Sequence, residues 1–147
     1  MAFIANTPAP EDEGNIDNFN DFWPALSLPN SREILRLDSD ITTSRLTALL
    51  QNAMIDVNHQ LDSFVVEQTV AGITYDQITN DKKHLYTRAI YATAQAQLLS
   101  DMRDYDSTQS AQDKTDTLKP SIDEQRRIAT ISIRQMLGKS FSHVELI

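Results

Sequence analysis

Between residues 41 and 70 the sequence reads ITTSRLTALLQNAMIDVNHQLDSFVVEQTV, with apolar residues at Leu46, Leu49, Leu50, Ala53, Val57, Leu61, Phe64 and Val65. That three-and-four spacing gathers them on one stripe of an α-helix. Arg45, Thr47, Gln51, Asn52, Asp56, Asn58, Gln60, Asp62 and Ser63 keep the opposite face polar. Thr42, Thr43 or Ser44 can accept hydrogen bonds from the first free amides, and neither Pro nor Gly intervenes before Gly72. The pattern predicts one helix over 44–70, roughly 28 residues and about 42 Å long. A helix of that length needs partners along all of it.

A second helical period follows in DKKHLYTRAIYATAQAQLLSDMRDY, where Thr79 or Asn80 can cap. Leu85, Ala89, Ala92, Ala96, Leu99 and Met102 form its stripe, widened by Ile90, Ala94 and Leu98. Alanine at so many face positions lets two backbones approach closely. The expected pairing is therefore antiparallel, with Leu49, Ala53, Val57, Leu61, Leu85, Ala89, Ala92 and Ala96 between the two long helices. Asn30 three residues ahead of Glu33 predicts a short helix over 31–37. Residues 106–120 are polar and read as a solvated turn with a marginal helix. Ser121 and Glu124 then form a capping box that opens a helix over 122–137, its apolar face made by Ile128, Ile131, Ile133, Met136 and Leu137. Gly138 suits the left-handed residue that closes it. The final SFSHVELI alternates enough to pass for an extended strand.

The fold expected from these elements is all-α: a small helical bundle of two long antiparallel helices plus a C-terminal helix, with an extended N-terminal arm and an extended C-terminal tail. Three regions follow: a flexible acidic arm over 1–22, a helical domain over 23–138 and a tail over 139–147. The length of 147 residues suits one domain. Three glycines and 7% aromatic residues disfavour a β-sandwich. The arm holds Glu11, Asp12, Glu13, Asp17 and Asp21 without a Lys or Arg before Phe22. Its large apolar residues, Phe3, Ile4, Ile16, Phe19, Phe22 and Trp23, exceed what a linker needs. Two readings stand: Phe22 and Trp23 pack on the helical core, or the arm anchors on a neighbouring subunit through Phe3 and Ile4.

Charge and motif searches narrow the function. A formal charge of −8 opposes general binding to DNA or anionic membrane. Without cysteine there is no disulfide or thiolate chemistry. No run of 18 apolar residues occurs and residues 1–5 are too short for a signal peptide, so the expected compartment is a cytoplasm. Glycines at 14, 72 and 138 make no nucleotide loop. His59, His84 and His143 are too far apart for a zinc motif, and Asp101, Asp104 and Asp106 lack the glycine and glutamate of a calcium loop. The reading is no enzyme, no metal and no cofactor. Arg126, Arg127, Arg134 and Lys139 cluster near the last helix, either as a solvated face balancing Asp123 and Glu124 or as a docking surface for an acidic partner.

Several stretches taken in order resemble one family. They are FWPALSL behind an acidic arm, RLD at the end of a short helix, then Ile41, Thr42, Arg45, Leu46, Ala53, Val57, Asn58 and Leu61. The ending repeats the likeness with Arg126, Arg127, SIR, MLG and VELI. The sequence resembles the head completion/stabilization proteins (GPL family) of contractile-tailed bacteriophages. That resemblance implies a connector that joins the portal vertex after DNA packaging as a ring, twelve-fold by analogy with other adaptors. It would extend the DNA channel, stabilise the filled head and offer the tail its attachment site. The implied partners are the portal protein, further copies of the chain and a tail-completion or neck protein. DNA would pass without specific binding, no membrane is involved, and the place is the virion neck, reached from the host cytoplasm. Phe141, Val144, Glu145, Leu146 and Ile147 would dock on the portal, helped by Arg126, Arg127 and Arg134, while Phe3, Ile4, Phe19, Phe22 and Trp23 would serve between subunits. Two other classes remain open: an acidic DNA mimic, and a small cytoplasmic assembly adaptor or chaperone.

Overall fold

The computed structural model describes residues 12–105 and 111–139, of which 111–119 are described by backbone alone. Helix dominates. Two strands of two residues each, β1 (Asn15–Ile16) and β2 (Leu26–Ser27), pair antiparallel with Ile16 opposite Leu26, so the fold is mostly helical rather than purely so. The residues after β2 enter α1 (Leu28–Ile34), whose amide of Asn30 is capped by Ser27 Oγ at 3.3 Å. The short helix thus starts three residues before the expected position. Pro29 does not delay it, because a first-turn residue has no intrahelical use for its N–H.

Thr42 caps α2 (Thr43–Gln60), and Leu46, Leu50, Met54 and Val57 are fully buried along it. The single helix expected over 44–70 is broken at Leu61. This residue has φ −104° and ψ 10°, and its N–H is shared between the carbonyls of Val57 and Asn58 at 3.1 Å each. A separate helix α3 (Asp62–Val70) follows. The break sets its phase: Phe64 stacks on Trp23 with ring centroids 5.8 Å apart, while Val66 and Val70 are exposed.

After a 3-10 turn at Tyr75–Gln77, α4 (Asn80–Tyr105) runs back along α2. Tyr86 near its start bonds to Asn58 near the end of α2, and Met102 near its end shares a groove with Arg45 at the start of α2. The most extensive partner of α4 is nevertheless α5 (Ala111–Met136). Ala89 and Ala94 belong to the central core. Ala92, expected between α2 and α4, lines a groove with Ser121 and Ile128 of α5 instead, while Ala96 lines one shared by Ile55 and His59 of α2 and by Arg126 and Ala129 of α5. Alanine permits a close approach without choosing which helix makes it. The start expected for α5 at 122 is also superseded, since Pro120 lies inside the helix. Proline costs one backbone bond, to the carbonyl four residues back, but its fixed φ is helical.

Three helices end in the same way. The N–H of Arg36, Gly72 and Gly138 bonds three residues back, to Glu33, Thr69 and Gln135, and the next residue's N–H bonds five back, to Arg32, Gln68 and Arg134. This is the Schellman closure, which needs a left-handed residue, and the φ values are 52°, 71° and 69°. Two of the three are glycine. Arg36 is not, and an L residue there carries a steric penalty. Arg36→Gly is expected to stabilise the subunit by about 1 kcal/mol, after allowing for the greater freedom of glycine in the unfolded chain. A thermal melt raised by a few degrees would show it; a lowered one would mean that the side chain holds the turn.

Candidate functional site

The candidate interface is built where residues 12–24 meet the helices. Asn18, Asn58 and Tyr86 form a closed ring of hydrogen bonds. Asn18 Nδ2 donates to the Tyr86 hydroxyl at 2.8 Å, that hydroxyl donates to Asn58 Oδ1 at 2.7 Å, and Asn58 Nδ2 donates to Asn18 Oδ1 at 2.8 Å. Three buried or half-buried polar groups thereby satisfy one another. Burial raises the Tyr86 phenol above its ordinary value, keeping it neutral and able to donate.

Above this ring lies Trp23, only 4% exposed, stacked on Tyr86 with centroids 3.9 Å apart. Phe22 meets Trp23 and Phe64 edge-on, at 4.9 and 6.3 Å. Trp23 is therefore a core residue, correcting its expected place between subunits, and Phe22 is half-buried beside it. The aromatic cage removes far more apolar surface than any exposed arm could. Residues 12–22 join the helical body as well, through β1 and the Asn18 ring. Phe19 remains 61% exposed, a large apolar residue of the described arm still open to a neighbour. Phe3 and Ile4 lie outside the described residues.

The chain enters this body at a clasp. Arg32 Nε pairs with Asp12 Oδ2, Thr43 Oγ1 donates to Asp12 Oδ1 at 2.7 Å, and the same guanidinium donates to the carbonyls of Asp38 at 3.0 Å and Ile41 at 2.8 Å. The hydrogen bond from Arg32 holds the Asp12 carboxyl below its ordinary value. A depressed folded-state value means that the clasp's contribution is complete above the unfolded carboxylate range and is lost as pH falls through the lowered value.

Asp38 and Ile41 also line a groove of about 420 Å³ between the end of α1, the start of α2 and the end of α4. Leu35 and Leu98 are buried at its base, Met102 is 45% exposed and Tyr105 90% exposed at its edge, and Arg36 and Arg45 border it. Arg36, Leu37, Asp38, Ile41 and Arg45 carry part of the family resemblance without being singled out as a site, and Met102 falls on the apolar stripe of α4. The αL closure at a non-glycine is the one feature that could have marked the spot, and it is visible only in the backbone.

The arginines expected to act together are spread out. Arg126 is exposed and faces a second groove with Ile55, His59 and Ala96. Arg127 is exposed and 3.3 Å from Glu124, and Arg134 is half-buried two turns further along. The Arg127 pair matches the solvated-face reading, and exposed pairs of this kind contribute little. Phe141, Val144, Glu145, Leu146 and Ile147 lie outside the described residues. Among the described residues no group of His, Cys, Asp or Glu could hold a metal ion, and no helix is long and apolar enough to cross a membrane.

A family model described as phage head completion protein (GPL) matches residues 16–147. The chain belongs to the phage head completion protein (GPL) family. A relative named head completion/stabilization protein, from Escherichia phage P2, is 26% identical over 140 residues, covering 90% of this chain and 83% of that protein. No solved structure matches. The GPL match begins within β1 and takes in the Asn18 ring, the aromatic cage and every described helix, leaving out only Asp12 and its neighbours up to Asn15 among the described residues. The family is a structural one of phage heads.

Proposed function

We propose that this chain completes the phage head as a connector: copies form a ring at the portal vertex after packaging, extend the DNA channel, stabilise the filled head and present the site for tail attachment. The GPL family match over 132 of 147 residues carries this reading. The charge of −8 supports it, since an acidic lining lets DNA slide rather than adhere. In this reading the tail is the portal-docking element. An extended segment gains affinity by adding backbone hydrogen bonds to a sheet edge, while alternating side chains such as Val144 and Leu146 select the partner. Arg126, Arg127 and Arg134 flank the end of α5 and would steer it to an acidic surface. Phe3, Ile4 and Phe19 would act between subunits.

Truncation after Ser140, mixed with purified portal protein, tests the docking element. The expected result is an unchanged melting temperature with portal binding lost. A destabilised subunit that still binds portal would overturn it. Electron microscopy of particles made with and without the chain should show a ring at the vertex in the first only. If purified virions lacked the chain while infected cells held it on a host nuclease, the DNA-mimic reading would replace the connector.

A further inference from the structure

We infer that the groove between α1, α2 and α4 is the socket for the arm of a second copy of this chain, with Phe3 and Ile4 entering it. The inference rests on the ring reading above and adds to it the receiving surface. The starting point is where the arm meets the body. Asp12 is held by Arg32, whose guanidinium also binds the Asp38 and Ile41 carbonyls, and those two residues line the groove. Each arm therefore leaves from the rim of its own socket.

Length decides which socket it fills. Ile4 is eight positions before Asp12, and at ~3.1 Å per residue for a proline-rich extended segment this is about 25 Å. By sequence, Pro8 and Pro10 disfavour helical backbone at the residues before them, and the first thirteen residues contain no glycine with which to reverse direction. An arm that starts at the rim and runs straight for that distance passes its own groove. A length of about 25 Å would let it enter the equivalent groove of an adjoining copy. Chemistry agrees: Met102 and Tyr105 are large apolar side chains left exposed, over a base of Leu35 and Leu98. A pair such as Phe3–Ile4 would cover them, and methionine adapts readily to the shape of what it meets. The contact is head-to-tail, one arm given and one received by each subunit. Such a contact closes into a ring when its rotation allows.

The absence of cysteine makes the test direct. Ile4→Cys is combined with Met102→Cys, or with Tyr105→Cys should the first pair impair folding. Particles assembled with each variant are oxidised and run on a non-reducing gel. The expected result is a ladder of disulfide-linked multimers for both pairs and none for Ile4→Cys with Val70→Cys, whose second site is 84% exposed at the far end of α3. A disulfide confined to single chains would mean that each arm fills its own groove, and would overturn the inference. Rings present by microscopy without cross-linking would also overturn it while leaving the connector intact. Particles without any ring would remove the connector reading, and the socket with it.

Discussion

Trp23→Ala is expected to lower the melting temperature of the free subunit by roughly 10 °C or more. The indole is almost wholly buried, stacks on Tyr86 and Phe64, and receives the edge of Phe22. Aromatic-to-alanine changes at such sites cost about 3–5 kcal/mol, because lost transfer energy is joined by the cavity left behind. For a domain of this size each kcal/mol shifts the midpoint by about 2–4 °C. The loss reaches further than one side chain, since Trp23 stacks on Tyr86 and its removal admits water to a phenol that is now buried and bonded to Asn18 and Asn58. A normal melt combined with failure to form multimers would return Trp23 to a subunit contact.

The second large effect is expected at Leu61. It has no exposed surface, and Leu61→Ala should cost about 2–5 kcal/mol in urea or thermal unfolding. Two causes combine here. A cavity opens between α2, α3 and α4, and alanine, the strongest helix former, favours a continuous helix where the native backbone breaks. Straightening would rotate Phe64 off Trp23. The double variant with Trp23→Ala should therefore be less destabilised than the sum of the singles, because the two changes dismantle one shared contact. Strict additivity would show that the break does not position Phe64, and an unchanged melt for the single variant would place Leu61 outside the core.

Helix existence was legible because apolar residues recur at helical spacing: α4 lies where that spacing puts it, whereas the first long helix breaks at Leu61 and α5 begins before residue 122. The choice of partner was not legible. The alanines of α4 say that something approaches closely, but Ala92 serves α5 and Ala96 borders both α2 and α5, a preference set by the three-dimensional arrangement of all the stripes. The break at Leu61 left no trace because its residue is apolar and in register with its neighbours. The clearest omission concerned residues 12–22, which read as part of a flexible acidic arm. Asn18 bonds to residues 40 and 68 positions away, and no local pattern announces such a ring. For the candidate interface, the acidic arm was legible as a segment with surplus apolar residues, whereas the groove that we assign to receive it is assembled from α1, α2 and α4 and exists only once they pack.

The clasp at Asp12 has a mechanical meaning. Any tension drawn along the arm by a neighbouring subunit enters the body there, three residues before β1 begins. The β1–β2 pair is two residues long, the kind of element that opens at little cost when its end is pulled. Force does not reach it first. Arg32 passes the load into the end of α1 and, through the Asp38 and Ile41 carbonyls, into the loop ahead of α2, while Thr43 takes a share at the first turn of α2 itself. Several charge-assisted bonds must then give way together rather than one after another. A chain joined to its neighbours in this way would bear outward pressure as a belt does, with each buckle fastened to a helix and the small strand pair kept slack behind it.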